Sequence, residues 1–263
     1  MSNPPRVNYD AVAPNYDLRA NDGNYLAGVM PALQNLARQV KAQRVLDLGC
    51  GTGRSLQSFN DFAASLTRYG LDFSAGMLAQ ARHLDARYRL VRASAPCPAF
   101  AHASFDLVFC VLAFHHFPNK EQVAQQAYHL LRPGGVFAIV NFDPREGGRD
   151  LPFYRYFEGV YEMDLERFPA MAEQEAMLRA AGFQQVSSPV VEHIESEFAG
   201  EAMLENYHLR KDASSQLILI SDETYQAGLK RIRADIAAAK AKGADIIFRT
   251  DIKNRMCHGF KPG

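Results

Sequence analysis

The chain has 263 residues, of which 48% are hydrophobic and 22% charged, a composition typical of a folded globular domain. Its 29 Lys and Arg residues balance its 29 Asp and Glu residues, so it lacks the basic excess that usually marks a nucleic-acid-binding protein. No apolar run approaches the roughly 20 residues of a membrane span, and the N-terminus lacks the apolar segment of a signal peptide, so we expect a cytoplasmic protein without membrane contact. The four cysteines form no C-x-x-C pair, so we expect no metal site.

Short apolar runs alternate with helical patterns through the first half of the chain. The predicted strands are RVLDLG, YGLDF, YRLVRA, FDLVFCVLAF and GVFAIVNF, between residues 44 and 142. The predicted helices lie at residues 26–40 and 56–66, after Ser74, and after Asn119 as far as the R-P-G-G of residues 132–135. This alternation predicts a Rossmann-like α/β fold, a doubly wound and mainly parallel sheet with helices on both faces.

The second half is less regular. Residues 144–172 are rich in aromatic and charged side chains and are predicted to form an insertion, and a helix ending at Gly182 and a strand at residues 184–194 follow. Ser221 is predicted to cap an amphipathic helix that ends at Gly243, before a long last strand. We expect one domain with a seven-stranded sheet whose last strand is antiparallel, and with a partly helical cap. Its predicted parts are a leader and first helix at 1–43, a cofactor-binding core at 44–143, and cap segments at 144–172 and about 199–242.

Three spaced glycines, Gly49, Gly51 and Gly53, follow the first strand and precede a helix. Glycines in such a turn let the backbone bend sharply and approach a ligand, and the helix start supplies unpaired N–H groups. The dinucleotide fingerprint G-x-G-x-x-G would place its third glycine at position 54, where this chain has Arg54. The spacing therefore speaks against an NAD-dependent oxidoreductase.

Two acidic residues end the first two strands. Asp47 stands just before the glycine turn, where a carboxylate opposes a pyrophosphate and suits an ammonium group. Asp72 ends the second strand, where a carboxylate can accept hydrogen bonds from the ribose hydroxyls. A ligand with a ribose, an ammonium and no pyrophosphate is S-adenosylmethionine.

Five ordered segments resemble the class I S-adenosylmethionine-dependent methyltransferases. VLDLGCGTGR is similar to the glycine loop of that family, and GLDFSAGMLAQAR to its ribose-binding strand and following helix. FDLVFCVLAFHHF, HLLRPGG and LRAAGF are similar to its fourth strand and to the turns before strands five and six. Together these segments extend from residue 45 to residue 192, more than half of the chain.

The resemblance implies a cofactor site. Asp47, Gly49, Cys50, Gly51 and Gly53 would hold the methionine part of S-adenosylmethionine, and Asp72 its ribose. The resemblance also places Phe73, Met77, Ser94, Ala95 and Val111 beside the rest of the cofactor. Ser94 stands where the family has an Asp that binds the adenine amino group, a departure that weakens this one contact.

The leader N-Y-D-A-V-A-P-N-Y-D, residues 8–17, resembles the tyrosine-bearing leader of many members of the family. Tyr9 and Tyr16 would then border the methyl-transfer site, where a tyrosine suits a sulfonium cation. His115 and His116 follow the fourth strand, and His115 is the candidate general base because histidine titrates near neutral pH. The alternative is that both histidines only pack the turn.

We therefore expect an enzyme that transfers a methyl group from S-adenosylmethionine to a small-molecule oxygen, nitrogen or carbon nucleophile by direct displacement, and leaves S-adenosylhomocysteine. Nucleic acid is not an expected partner, and the sequence predicts no oligomeric state. Two alternatives stay open: a methyltransferase for tRNA or another nucleic acid, and a non-catalytic S-adenosylmethionine-binding protein.

Overall fold

A computed structural model describes residues 7–20, 26–147 and 150–263; the parts of the predicted leader and insertion at 1–6, 21–25 and 148–149 lie outside the described residues. The strands are β1 Arg44–Leu48, β2 Thr67–Asp72, β3 Arg89–Arg92, β4 Phe105–Val111, β5 Leu131–Asn141, β6 Gln184–Ser187, β7 Val190–Ala199 and β8 Ile247–Phe260. The α-helices are α1 Tyr9–Val12, α2 Val29–Gln39, α3 Arg54–Gln57, α4 Ala75–Leu84, α5 Lys120–Leu130, α6 Pro144–Gly147, α7 Pro152–Tyr156, α8 Val160–Arg167, α9 Met171–Ala180, α10 Ala202–Glu205, α11 Ser215–Leu219 and α12 Asp222–Ala241. Turns of 3-10 helix span Ala13–Ala20, Phe114–His116 and Tyr207–Leu209.

The strands form one sheet in the order β3-β2-β1-β4-β5-β8-β6, and β7 pairs with β8 outside this path. The ladders from β3 to β5 are parallel, and β8 runs antiparallel to both β5 and β6. The chain builds outward from β1 first towards β3 and then towards β5, so the strand order reverses between β1 and β4. Ligands of doubly wound sheets bind outside the carboxyl ends of the strands at this reversal.

Both faces of the sheet are buried at its central strands, as parallel sheets require. On β4, Leu107 and Phe109 pack on the side of α2, whereas Val108 and Cys110 pack on the side of α5. All four side chains are fully buried. The continuous apolar run in this strand therefore follows from burial on both faces, as expected for the middle strand of the sheet.

The predicted Rossmann-like, mainly parallel sheet with an antiparallel strand near its end is confirmed, but it has eight strands rather than seven. The segment predicted as one strand at residues 184–194 divides into β6 and β7. Ser188 and Pro189 separate the two, and proline cannot donate a ladder hydrogen bond. The extra strand is thus the result of one residue in an otherwise continuous β pattern.

The helix predicted at residues 56–66 is wrong in length, because only α3 is helical and tight turns follow it. Phe59 N–H and Asn60 N–H bond to carbonyls three residues back instead of four. Leu56, Phe59 and Leu66 of the pattern are buried all the same, and Phe62 is half-buried. Ser58, Asn60 and Asp61 are weak helix formers, which explains why burial continues after the helix has ended.

The chain divides into two compact units. The sheet unit comprises Tyr9–Phe142, Pro169–Glu192 and Asn254–Gly263, and the second unit contains Asp143–Phe168 and His193–Lys253. The second unit thus takes in most of the segments expected to form the cap. Across the described part of the chain, no helix combines the length and apolar character needed to cross a membrane.

We expect Gly228→Ala in α12 to destabilise the second unit, although alanine normally favours a helix over glycine by about 1 kcal/mol. A Cβ at position 228 would lie 2.3 Å from the Phe157 ring and 3.0 Å from the Tyr156 carbonyl oxygen. Overpacking of this kind costs about 1–3 kcal/mol. Urea denaturation should show a lower free energy of unfolding, and adding Phe157→Leu should recover part of the loss. A more stable Gly228→Ala variant would contradict this packing.

Candidate functional site

The turn after β1 is built by three glycines in left-handed backbone conformation. The φ angles of Gly49, Gly51 and Gly53 are +76°, +53° and +86°, values that residues with a side chain rarely adopt. The Gly49 and Cys50 N–H groups both donate to the Leu71 carbonyl, at 2.7 and 3.0 Å. The turn is therefore held to the end of the neighbouring strand through its backbone.

The three glycines differ in what surrounds them. A Cβ on Gly49 would lie 2.8 Å from the Ala113 methyl group, so this glycine allows the loop after β4 to approach closely. A Cβ on Gly53 would touch Ala81 and Tyr88. A Cβ on Gly51 would meet no heavy atom within 4 Å, so the middle of the turn faces open space. A ligand can therefore approach the backbone at Gly51.

Asp72 connects the loops that follow β1 and β2. Its Oδ2 accepts a hydrogen bond from Gly51 N–H at 2.9 Å, and its Oδ1 accepts one from Ser74 N–H at 2.8 Å. Burial raises the pKa of this carboxyl, and the hydrogen bonds from Ser74, Gly51 and Phe73 N–H groups oppose the rise. Each oxygen can accept a further hydrogen bond, as ribose recognition requires.

Asp47 is the second carboxyl of the turn and is almost completely buried, at 1% exposure. Its Oδ1 has no hydrogen-bond partner among the described residues. Burial first, and the charge of Asp72 second, raise the pKa of Asp47 well above its ordinary value. Such a carboxyl gains most from a positively charged ligand, because a cation would satisfy its oxygen and restore its charge.

Cys50 lies between Asp47 and Asp72 in sequence, and the charges of both carboxyls act on its thiol. Its thiol is buried, and burial together with the charges of Asp47 and Asp72 raises its pKa well above the ordinary value. The Sγ atom would lie 2.7 Å from a Cβ on Gly70, so it fills the space that this glycine of β2 leaves. Cys50 is therefore a neutral packing residue of the turn and not a nucleophile.

The residues predicted to lie beside the adenine are in or near α4 and β3. Ser74 caps α4 by accepting from Met77 N–H, and the Met77 side chain is buried. Phe73 is 71% exposed, and its ring lies 6.0 Å from the Arg92 guanidinium carbon. Ser94 and Ala95 follow β3, with Ala95 buried and the Ser94 carbonyl accepting from Cys97 N–H. An exposed aromatic ring next to Asp72 offers a face on which a planar ligand group could stack.

The loop after β4 carries the two histidines. Val111 ends the strand in register with Val140 of β5, and the His115 and His116 rings lie 4.0 Å apart. His115 is buried, whereas His116 is less buried and its Nε2 lies 2.6 Å from the Tyr9 hydroxyl. His116 is thus in contact with the leader through Tyr9.

The leader packs against the glycine turn and the start of α4, and Tyr9 and Tyr16 meet edge to face at 6.2 Å. Asp10 accepts hydrogen bonds from Ser74 Oγ at 2.6 Å and from Gly76 N–H at 2.8 Å, and these bonds lower its pKa. Asp17 bonds to Thr52 and Arg54 of the turn. Sequence reasoning identified the two tyrosines but missed both aspartates, which the repeated N-Y-D of the leader could have indicated.

Comparison with known proteins gives consistent results. A family model described as a methyltransferase domain matches residues 46–139. A demethylmenaquinone methyltransferase of Thermus thermophilus is 30% identical over 199 residues, covering 66% of this chain and 90% of that protein. Several other curated methyltransferases match the chain over 32–47% of their own length.

The fold is similar to that of solved methyltransferases. A protein of Anabaena variabilis described as a methyltransferase of an antibiotic-biosynthesis pathway superposes with a TM-score of 0.65 at 22% identity, over 88% of this chain and 96% of that chain. A Haemonchus contortus phosphoethanolamine N-methyltransferase 2 in complex with S-adenosyl-L-methionine has a TM-score of 0.54 at 17% identity, over 98% of this chain and 60% of that chain.

We expect Asp47→Asn to stabilise the ligand-free protein at neutral pH. The raised pKa means that the folded state binds a proton at Asp47 more tightly than the unfolded state, where the ordinary value is 3.8. Stability contributed by this group is therefore complete below pH 3.8 and lost as the pH rises through the folded-state pKa. Asparagine carries no such loss, so the variant should be more stable than the original protein at pH 7.

Urea denaturation of both proteins between pH 4 and pH 8 measures this difference. The advantage of Asp47→Asn should shrink as the pH falls, because both side chains are then neutral. Asp61→Asn, which changes an exposed carboxylate of the same unit, is the control and should show no comparable gain. A variant less stable than the original at pH 7 would mean that Asp47 is not a strained group.

Proposed function

Because the chain belongs to the class I S-adenosylmethionine-dependent methyltransferases, we propose that it methylates a small-molecule acceptor at an oxygen, nitrogen or carbon nucleophile. The observation that carries this proposal is the buried carboxyl oxygen of Asp47, which has no hydrogen-bond partner in the described part of the chain and lies beside three left-handed glycines. That arrangement fits a ligand with a positively charged amino-acid group and opposes a pyrophosphate.

A small-molecule acceptor is supported by the charge balance and by the relatives. The chain carries as many basic as acidic residues, 29 of each, and a nucleic-acid substrate is usually matched by a basic surface. The Thermus thermophilus relative, which matches this chain over 90% of its own length, is named for a demethylmenaquinone, a small molecule. These two observations favour a small acceptor over tRNA without identifying it.

We assign the cofactor contacts from the donor and acceptor groups of the described residues. Asp47 and the glycine turn would hold the methionine part, with the Gly51 backbone exposed to it. Asp72 would accept from the ribose hydroxyls, since each of its oxygens has capacity left beside the bond to Gly51 or Ser74. Phe73 would cover one face of the adenine, which would also bury a ring that is exposed here.

The bound cofactor supplies an electrophilic methyl group on a sulfonium. The contribution of the chain to the transfer is to hold the acceptor in line with that group and to keep water away. Tyr9 and Tyr16 are the aromatic residues that the leader brings to the loop after β4 and the glycine turn. Their electron-rich faces favour a cationic sulfur over the neutral sulfur of the product.

An acceptor hydroxyl must also lose its proton. The Tyr9 hydroxyl and His116 Nε2 form a short hydrogen bond of 2.6 Å, so a proton that leaves the acceptor can pass to Tyr9 Oη while the tyrosine proton moves to Nε2. This pair serves an acceptor with a neutral hydroxyl or carbon acid, and an amine acceptor does not need it. The catalytic role predicted for His115 stays a prediction, with its ring 4.0 Å from that of His116.

Calorimetric titration of the purified protein with S-adenosylmethionine, S-adenosylhomocysteine and NAD tests the cofactor site. We expect the first two to bind and NAD not to bind. Asp72→Ala should weaken S-adenosylmethionine binding by about 100-fold, because it removes a charged acceptor of hydrogen bonds worth about 1.5–3 kcal/mol each. Asp85→Asn, in a carboxylate that pairs with Arg87, is the control and should bind as before. Unchanged affinity in Asp72→Ala would mean that the ribose lies elsewhere.

We expect Tyr9→Phe to lower kcat for a hydroxyl acceptor by about 100-fold, the lower end of the range for proton-transfer catalysis, with little change in cofactor affinity. The variant keeps the ring but removes the hydroxyl that bonds to His116. Tyr88→Phe, which removes a hydroxyl bonded to Asn60 in the same unit, is the matched control. A loss of cofactor affinity with normal kcat would mean that Tyr9 contacts the cofactor and does not take part in the proton transfer from the acceptor.

An acceptor panel of phenols, carboxylates, amines and activated carbon acids, with S-adenosylhomocysteine formation as the readout, tests the substrate class. Turnover of any of these supports the proposal. Turnover of tRNA alone, with binding that weakens steeply as salt rises, would support the nucleic-acid alternative. Cofactor binding without product on every acceptor would support the non-catalytic alternative.

A further inference from the structure

The leader contains the tripeptide N-Y-D twice, at residues 8–10 and 15–17, seven residues apart. In both copies the aspartate bonds to an element of the proposed cofactor site, and the tyrosine directly precedes the anchored aspartate. Asp10 binds the start of α4, and Asp17 binds the glycine turn. The leader is therefore fastened at two points, one on each side of Asp72 in the sequence.

The anchor at Asp17 is a clamp with two arms. Asp17 Oδ1 accepts from Thr52 Oγ1 at 2.7 Å and from Arg54 Nε at 2.8 Å. The second arm is a hydrogen bond of 2.8 Å from an Arg54 terminal nitrogen to the Asp17 backbone carbonyl. Arg54 thus holds both the side chain and the main chain of the residue next to Tyr16.

The anchor at Asp10 leaves little space between the leader and α4. A Cβ on Gly76 would lie 3.1 Å from the Ala13 methyl group and 3.3 Å from the Asp10 carbonyl oxygen. Gly76 N–H also donates to Asp10 Oδ1. The first half of the leader is therefore packed as well as hydrogen-bonded, and the clamp holds the second half, with Tyr16.

The geometry points to Arg54 as a positioning residue of the methyl-transfer site, which holds the leader tyrosines over the cofactor by clamping Asp17. This inference rests on the proposed placement of S-adenosylmethionine at the glycine turn. It gives a role to the residue that replaces the third glycine of the dinucleotide fingerprint: position 54 opens α3 and directs a long side chain to the leader.

The chemistry of the clamp requires arginine. The guanidinium presents several N–H donors in one plane, so it can bond to a carboxylate and a carbonyl at the same time. Lysine would keep the charge but could not reproduce this two-point geometry, and methionine would keep only the apolar stem. The clamp side chains are 31% exposed for Arg54 and 42% for Asp17, so water screens the pair and the expected effects are moderate.

The experiment compares Arg54→Lys, Arg54→Met, Asp17→Asn and the double variant Arg54→Met/Asp17→Asn with the original protein. Hydrogen exchange of the peptide covering residues 9–17 reports on the leader, and calorimetry with S-adenosylhomocysteine reports on the site. Arg87→Lys is the matched control, because Arg87 makes a comparable pair with Asp85 that does not involve the leader.

We expect Arg54→Met to speed exchange in the leader and to raise the dissociation constant for S-adenosylhomocysteine by about fivefold to tenfold, equivalent to about 1–1.4 kcal/mol. Arg54→Lys should have an intermediate effect, and the double variant should be no worse than Arg54→Met, since both changes remove one interaction. The KM for S-adenosylmethionine should rise more than kcat falls. The control should change neither measurement.

Three results would overturn the inference. Faster leader exchange with unchanged affinity would mean that the leader does not cover the cofactor, and lower affinity with unchanged exchange would mean that Arg54 acts on the ligand directly. A lower melting temperature as the only change would assign Arg54 a structural role. If the original protein binds no cofactor, the proposed function fails, and leader exchange alone still tests whether the clamp exists.

Discussion

The Asp72 carboxylate accepts hydrogen bonds from the backbone of both loops that follow the two neighbouring strands β1 and β2, through Gly51 N–H and Ser74 N–H. These two bonds set the distance between the glycine turn and the start of α4. Ser74 in turn caps α4 and donates to Asp10 of the leader. One carboxylate therefore determines where the turn, the helix and the leader lie, and the cofactor site depends on all three.

This arrangement brings the buried carboxyl of Asp47 and the half-buried carboxyl of Asp72 into electrostatic contact. The pKa values of Asp47 and Asp72 are both raised, mainly by burial, and the charge of Asp72 adds to the effect on Asp47. Stability of the ligand-free fold alone does not favour a second carboxyl, that of Asp47, within range of the Asp72 charge. The unfavourable charge becomes favourable when a cation binds, so binding affinity is gained at the expense of stability in the ligand-free state.

Local sequence signals predicted most of the framework. Ser74 and Ser221 cap the helices they were expected to cap, and the backbone bends sharply at the glycine turn, as its spacing indicated. Two predicted elements were wrong. After α3 the apolar residues stay at helical spacing although the helix has ended, and at Pro189 one predicted strand divides into two. Both depend on short-range competition between weak preferences, which a pattern of apolar residues does not record.

The site was predictable only in part, for a different reason. Asp47, Asp72 and the glycines are close in sequence to the strands that place them, so their positions follow from the fold. The bonds from Tyr9 to His116 and from Asp17 to Arg54 join residues that are 107 and 37 positions apart. No periodicity in the chain encodes such pairs, because they arise from the path of the leader across the sheet edge.

Polar side chains at the amino ends of the parallel strands find hydrogen-bond partners more completely than those at the carboxyl ends. This difference is the strongest structural reason to place function at the carboxyl ends. At the amino end of β4, Asp106 accepts from Gln43 N–H and Arg44 N–H and pairs with Arg132. At the carboxyl edge, Asp47 Oδ1 and both amide atoms of Asn141, the last residue of β5, have no partner among the described residues.

A buried polar atom without a partner costs about 1–3 kcal/mol, so such atoms are rare unless something else maintains them. Arg68 Nε and Gln174 Oε1 are also unpartnered within the described chain, but each of these side chains makes a hydrogen bond through another atom. Within residues 7–20, 26–147 and 150–263, Asn141 makes no hydrogen bond through either amide atom. The carboxyl ends of parallel strands lie together, so Asp47 and Asn141 are at the same end of the sheet. Their unpartnered polar atoms destabilise the fold there, as expected where ligand binding and not packing determines the residue.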